Sequence, residues 1–208
     1  HSYFDEKQNK IISGRPEGPL EKLGATRKHG TVVRFLPDKR VFEDTRFNAD
    51  TIARRMRELA FLNRGIHFRF HDLRVNPARE EDFCFEGGLA DFVRYINADR
   101  TPLNEEPILL EGERDNTLIR VALQYTDSDT EGVFSFVNNI PTGEGGTHET
   151  GFKTALTRVF NDYARRIGAL KEKDSNLTGE DLREGLTAVL AVGVSNPQFE
   201  GQTKGRLG

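Results

Sequence analysis

VFSFVNNIPTGEGGTHETGFKTALTRVFNDYARRI, residues 133–167, decides the fold. Its first residues are apolar and β-prone, and residues 133–138 read as a strand. Beyond a glycine-rich turn the period changes. Phe152, Ala155, Leu156, Val159, Phe160 and Tyr163 recur at i, i+3, i+4, i+7, i+8 and i+11, which predicts a helix over 147–167. Thr147 is a suitable N-cap. Gly168 stops the helix after Arg165 and Arg166, whose charges suit the negative end of the helix dipole.

Working outward, residues 117–125 alternate, with Ile119, Val121, Leu123 and Tyr125 on one face, and Asp127, Ser128 and Asp129 supply the following turn. Residues 178–181 (TGED) have the form of a capping box for a short helix. Residues 186–194 are apolar throughout, as in a strand covered on both faces, and 196–208 read as loop. Towards the N-terminus, residues 89–97 form a short helix with Leu89, Phe92, Val93 and Ile96 on one side. Asn48 caps a helix to about Leu62, striped by Ile52, Met56 and Leu59. Residues 31–35 (TVVRF) and 66–70 (IHFRF) read as strands, 72–82 as a charged loop and 101–107 as a connector. Residues 1–30 are punctuated by turn formers such as Gly14, Pro16, Gly18 and Gly24. This order predicts an α+β fold with mixed sheets and helices on one face.

The chain has 208 residues, with 30 Lys and Arg against 33 Asp and Glu, a formal charge of −3. That excludes a globally basic nucleic-acid binder but leaves room for a local basic patch. Cys84 is the only cysteine, so neither an internal disulfide nor a multi-thiolate zinc site is expected. A reducing, cytoplasmic setting follows. No stretch approaches the ~20 apolar residues of a membrane span. With no initiating methionine and no evident terminating element, the chain reads as a piece of something larger.

Motifs of established chemistry are absent: no phosphate-binding P-loop, no HExxH, no nucleophile elbow and no zinc spacing. Gly143-Glu144-Gly145-Gly146 before a helix could hold an anion or be a tight turn. His148 and Glu149 in that helix's first turn could be an acid–base pair or a surface feature. Gln202-Thr203-Lys204 sits in a glycine-flanked loop, from which a lysine can reach a phosphate or remain solvated.

Four blocks carry a specific likeness: residues 57–74 (RELAFLNRGIHFRFHDLR), 85–97 (FEGGLADFVRYIN), 136–161 (FVNNIPTGEGGTHETGFKTALTRVFN) and 179–208. Together they resemble, in order and spacing, the B subunits of the bacterial type II topoisomerases, DNA gyrase and its close relative topoisomerase IV. The resemblance implies that residues 1–86 are the last part of a histidine-kinase-like (GHKL-type) ATPase sandwich. Residues 87–208 would then be most of a transducer domain similar to ribosomal protein S5 domain 2.

It implies ATP with Mg2+ as the ligand of the full-length protein. The general-base glutamate, the magnesium-binding asparagine and the nucleotide lid are not in this sequence, so it holds no metal ligands of its own, and the chain alone is expected not to hydrolyse ATP. Lys204 matches the family's γ-phosphate lysine, and Gln202 its glutamine neighbour. Thr31 matches the threonine on the floor of the adenine pocket, and Val33 would line that pocket, where aminocoumarin-type inhibitors also bind. Lys153 and Arg158 fall on a helix facing the family's DNA cavity, where contacts should go to phosphates without sequence readout. Arg165 and Arg166 share that helix. Implied partners are DNA, the gyrase A subunit in an A2B2 heterotetramer, and a second copy of the B-type chain joined on ATP binding. The competing readings are a topoisomerase IV B-type subunit, which the sequence does not separate from gyrase, and a non-enzymatic, S5-like nucleic-acid interaction domain. The run Gln202-Thr203-Lys204 argues against the interaction domain, because a binding module needs no phosphate sensor.

Overall fold

The computed structural model describes residues 3–12 and 18–208. Gly14 and Pro16 lie outside the described residues. The chain divides into two compact units, His1–Ala49 and Asp50–Gly208. No described helix is long and apolar enough to cross a membrane.

In the first unit, strands β1 (Tyr3–Asp5) and β2 (Lys10–Ile12) form an antiparallel hairpin. Residues 31–35, expected as a strand, have no regular structure. Their side chains are exposed, Val32 at 92% and Phe35 at 70%. The correction has a simple cause: no described strand pairs with this segment, and an isolated strand leaves its amides and carbonyls unpaired. Phe35 and Phe47 meet edge to face at 5.9 Å.

The second unit opens on helix α1 (Ala49–Leu62). Its deepest residues are Ala53, Ala60, Phe61 and Leu62, whereas Ile52, Met56 and Leu59 are only half-buried. The C-terminal end of α1 is what enters the core: the Phe61 ring stacks on Phe85 at 3.7 Å and on Phe92 at 4.7 Å. Strand β3 (Phe68–Asp72) begins two residues later than expected, and Ile66 is half exposed. The charged stretch expected as a loop holds strand β4 (Arg79–Phe83), antiparallel to β3. Its charges serve the pairing. His71 faces Glu80 at 3.2 Å and Arg69 faces Asp82 at 3.5 Å, while Phe70 and Phe83 turn inward.

Helix α2 (Leu89–Ile96) is followed by β5 (Ile108–Arg114), β6 (Thr117–Tyr125), β7 (Gly132–Val137) and β8 (Ile140–Pro141). Helices α3 (Thr147–Arg166) and α4 (Gly179–Arg183) and strand β9 (Leu186–Gly193) complete the unit. Five strands form one mixed sheet in the order β5-β6-β9-β7-β8, with β9 antiparallel to β6 and parallel to β7. Strand β5 was not expected. It is an edge strand exposed along its whole length, so nothing imposes an alternation on its residues.

Helices cover both faces of the sheet, not one. Phe61, Leu62, Leu89, Phe92 and Val93 pack with Ala122, Phe136, Val189 and Ala191 on one side. Phe152 and Leu156 of α3 pack over Val121, Leu123, Leu186, Leu190 and Val192 on the other. Burial on both faces explains why β9 is unbroken in its apolarity. Each large side chain so buried contributes roughly 1.5–3 kcal/mol. The distal half of α3 leaves the sheet, and its stripe continues into solvent: Val159 is 57% and Tyr163 51% exposed. There Asn161 is buried instead. It donates to the Leu177 carbonyl at 3.0 Å and accepts from the Leu177 amide at 2.8 Å, which ties the loop after α3 to the helix. Gly168, at φ 76°, ends α3 as expected, and the box Thr178–Asp181 caps α4 as expected.

Candidate functional site

Residues 198–208 fold as a narrow loop. The Gly208 amide donates to the Gln198 carbonyl at 2.9 Å and the Glu200 amide to the Arg206 carbonyl at 3.0 Å, while Phe199 pairs with Leu207. Gln202, Thr203 and Lys204 form the tip and are exposed. Lys204 has left-handed backbone, φ 57°, and its amide donates to the Gly201 carbonyl at 3.3 Å. Its ammonium lies 5.8 Å from the centre of the Phe199 ring and within reach of no described carboxylate. A lysine and a glutamine presented in this way suit a phosphate: strong donors, solvated, not neutralised by a neighbour.

The glycine-rich run before α3 is the tight turn of the two alternatives, and it has a specific task. Gly146, at φ 144°, is the N-cap and supplies no side chain. The Thr147 amide donates to the Leu207 carbonyl at 3.2 Å, so the loop satisfies one of the amides a helix start leaves unpaired. Thr147 is therefore not the N-cap. Its hydroxyl donates to the Gly208 carbonyl at 2.9 Å. Two further bonds complete the seam: Leu207 amide to Gly145 carbonyl, 3.2 Å, and Glu144 amide to Gly205 carbonyl, 2.9 Å. The signal for this seam was local and could be read only as glycine content, since its partner lies about sixty residues away.

His148 and Glu149 do not pair with each other. The His148 Nε2 is 2.9 Å from the Thr142 hydroxyl, and burial pulls its pKa below the ordinary imidazole value against the pull of Glu149. Glu149 accepts from the Ser135 hydroxyl at 3.0 Å. These groups bind β7 and the turn after β8 to the helix; His148 and Glu149 do not act on each other as an acid–base pair would.

Lys153 meets Glu149 at 3.0 Å and Glu131 at 2.7 Å. Arg158 is exposed and bonded to no described residue. With Lys153 and Arg183 it lines an open groove of about 540 Å³ between α3 and α4. Arg165 is committed to the loop beyond α3, donating to the carbonyls of Lys171 at 2.8 Å and Asp174 at 2.9 Å. Arg166 lies over the Tyr163 ring at 5.0 Å. Thr31 and Val33 belong to the first unit, in exposed irregular chain, whereas α3 and its loop belong to the second. Among the described residues no three His, Cys, Asp or Glu side chains gather as a metal site would require.

A family model described as DNA gyrase B matches residues 88–208. The DNA gyrase B protein of Clostridium acetobutylicum is 54% identical over 196 residues, which is 94% of this chain and 30% of that protein. The DNA gyrase B protein of Bacillus mycoides is 52% identical over 200 residues, 96% of this chain and 49% of the relative. The chain thus spans roughly a third to a half of the length of these relatives. The structure of the 43K ATPase domain of Thermus thermophilus gyrase B, solved with an aminocoumarin, superposes with a TM-score of 0.70 at 38% identity, covering 82% of this chain and 45% of that one. The family match takes in more than half of the chain, including the glycine seam, α3 and the lysine loop, and on that ground the chain belongs to the DNA gyrase B family.

Proposed function

We propose that this chain is the part of an ATP-driven type II DNA topoisomerase, the B-type chain of gyrase, that couples ATP binding and hydrolysis to strand passage and supercoiling. In this reading residues 1–86 close the ATPase domain and residues 87–208 are the transducer. Lys204 and Gln202 contact the γ-phosphate of Mg2+-bound ATP, and the magnesium is held by residues elsewhere in the whole protein. Thr31 and Val33 belong to the adenine and inhibitor pocket. Lys153 and Arg158 face the DNA. The whole protein works in the cytoplasm with the gyrase A subunit, as an A2B2 assembly whose two B-type chains dimerise on ATP binding.

One observation carries this reading. The ammonium of Lys204 is exposed and unneutralised on a loop whose base is bonded to the start of α3, the helix that bears Lys153 and Arg158. A charge gained or lost at the loop tip therefore acts on the helix that presents those cations. Typical couplings of this kind are ~1–3 kcal/mol. The test is Lys204→Ala in the full-length protein. Turnover and strand passage should fall while ADP affinity stays near its original value, because ADP lacks the γ-phosphate. Equal weakening of ADP and ATP, with turnover at saturating ATP unchanged, overturns the assignment.

A further inference from the structure

We infer that Leu207, seated against Gly146, is the positioning residue for Lys204: it fixes the phosphate-contacting loop to the start of α3. The inference rests on the assignment of Lys204 to the γ-phosphate given above.

The loop tip has no packing of its own. Between residues 195 and 208 Leu207 is the one buried residue, at 9% exposure. Several of the contacts that hold the loop converge on it. Its amide and carbonyl bond to Gly145 and Thr147, it pairs across the loop with Phe199, and it pairs in parallel register with Gly146. Phe199 in turn carries the Lys204 ammonium over its ring. The residue after Lys204, Gly205, accepts from the Glu144 amide at 2.9 Å. The turn thus bonds to the chain just after Lys204, at Gly205 and Leu207, and Lys204 itself takes a left-handed conformation that costs a lysine free energy.

Gly146 is shaped to receive Leu207. A Cβ placed there would stand 2.4 Å from the Leu207 carbonyl oxygen and 2.8 Å from its nitrogen, at a φ of 144° that other residues rarely adopt. Any side chain at 146 displaces Leu207 and with it the base of the loop. The side chain of Leu207 also lines the groove beneath the N-terminal turn of α3, with Phe152, Val192 and Val194. It therefore registers the loop against the sheet as well as the helix.

The experiment uses the full-length protein and compares Lys204→Ala, Leu207→Ala, Leu207→Met, Gly146→Ala and the double variant Lys204→Ala/Leu207→Ala. Affinities are measured for ADP and for a non-hydrolysable β,γ-imido ATP, with thermal unfolding of each variant. Lys204→Ala should weaken the imido analogue roughly 10- to 100-fold and leave ADP unchanged. Leu207→Ala should weaken the analogue by about fivefold or more with ADP within about twofold, Leu207→Met should restore it, and the double variant should lose no more than Lys204→Ala alone. Gly146→Ala should follow Leu207→Ala if it folds; Leu207→Ala decides the matter if it does not. If Lys204→Ala lowers analogue affinity but Leu207→Ala leaves the ratio of analogue to ADP affinity at its original value, or lowers both affinities alike, the positioning role is overturned and the phosphate assignment stands. If Lys204→Ala leaves that ratio unchanged, the phosphate assignment falls and takes the positioning role with it.

Discussion

Lys153 reaches from α3 to the carboxylate of Glu131 at 2.7 Å, and Glu131 holds Arg183 at 2.8 Å with its other oxygen. Glu149 meets the same ammonium from one turn earlier on the helix. Burial opposes ionisation of Glu131, yet Lys153 and Arg183 together hold its carboxyl below the usual range. Burial also opposes the charge on Lys153, and Glu131 and Glu149 reverse that. Two cations and two anions form a closed set here, and Arg158, one turn further on, stands outside it.

The two basic residues should therefore differ towards DNA. To contact a phosphate Lys153 must give up two carboxylates, whereas Arg158 gives up none. Arg158→Ala in the full-length protein should lower the slope of log affinity against log salt by about one, the value for one lost phosphate contact, uniformly across sequences. Lys153→Ala should change the slope less. A duplex-binding series between low and moderate salt measures both, and equal slopes for the two variants would contradict the assignment.

Acid should loosen the fold in two stages. The folded pKa of His148 lies below its ordinary 6.5 because burial disfavours the imidazolium. The stability this group contributes is present above 6.5 and is lost as pH falls through the folded value. Glu131, also depressed in the fold, adds a second loss at lower pH, below the ordinary carboxyl value of 4.5. His148→Gln should remove the first stage and leave the second. Urea unfolding at a few pH values from neutral down to about 4 shows whether the midpoint of the variant is flat where that of the parent falls.

A buried polar chain fixes α2 to the sheet. The Thr187 hydroxyl donates to the Asn97 amide oxygen at 2.7 Å and accepts from Arg100 at 3.2 Å, and Asn97 donates to Gln124 at 3.0 Å. Thr187 is fully buried. Thr187→Val keeps the shape and orphans the Asn97 oxygen, so it should cost about 1–3 kcal/mol, read as a lower denaturant midpoint at unchanged slope. A midpoint equal to that of the parent would mean the chain is dispensable.

Asn138 and Asn139 make the two-residue turn between β7 and β8, both with positive φ, 49° and 64°. Asn138 also bonds Val194 twice, donating to its carbonyl at 2.8 Å and accepting from its amide at 2.9 Å. Asn138→Ala loses both the bonds and the tolerance for the turn and should destabilise by about 2–3 kcal/mol. Asn138→Gly keeps the conformation and should cost roughly 1 kcal/mol. Chemical denaturation of the pair separates turn from clamp.

What could be read in the sequence was whatever a periodic environment imposed. Strand β6 sets Val121 and Leu123 on the face under α3, β9 is covered on both faces and reads as an unbroken apolar run, and α3 carries a long stripe; all three were placed within a residue or two. Strand β4 was missed because its pattern is made of charge pairs across a two-stranded ribbon, and β5 because a solvated edge selects no pattern. Residues 31–35 have strand propensity, but propensity provides no partner strand. At the site the residue types of the loop tip were legible. Leu207 was not, because its role comes from a turn about sixty residues earlier, and no spacing rule connects a lone leucine to a distant glycine.

The last strand of the chain lies in the middle of the sheet, between β6 and β7. During synthesis the hairpins 108–125 and 132–141 must each emerge with an edge waiting, and the apolar faces intended for α2 and α3 have no common floor until residues 186–193 arrive. Closure of the sheet is thus a late, long-range event, of the kind that slows folding and leaves edges open to the wrong partners meanwhile. The same late strand leads directly into the loop that carries Lys204. The loop that carries Lys204 is thus among the last parts of the domain to be made and set against the start of α3.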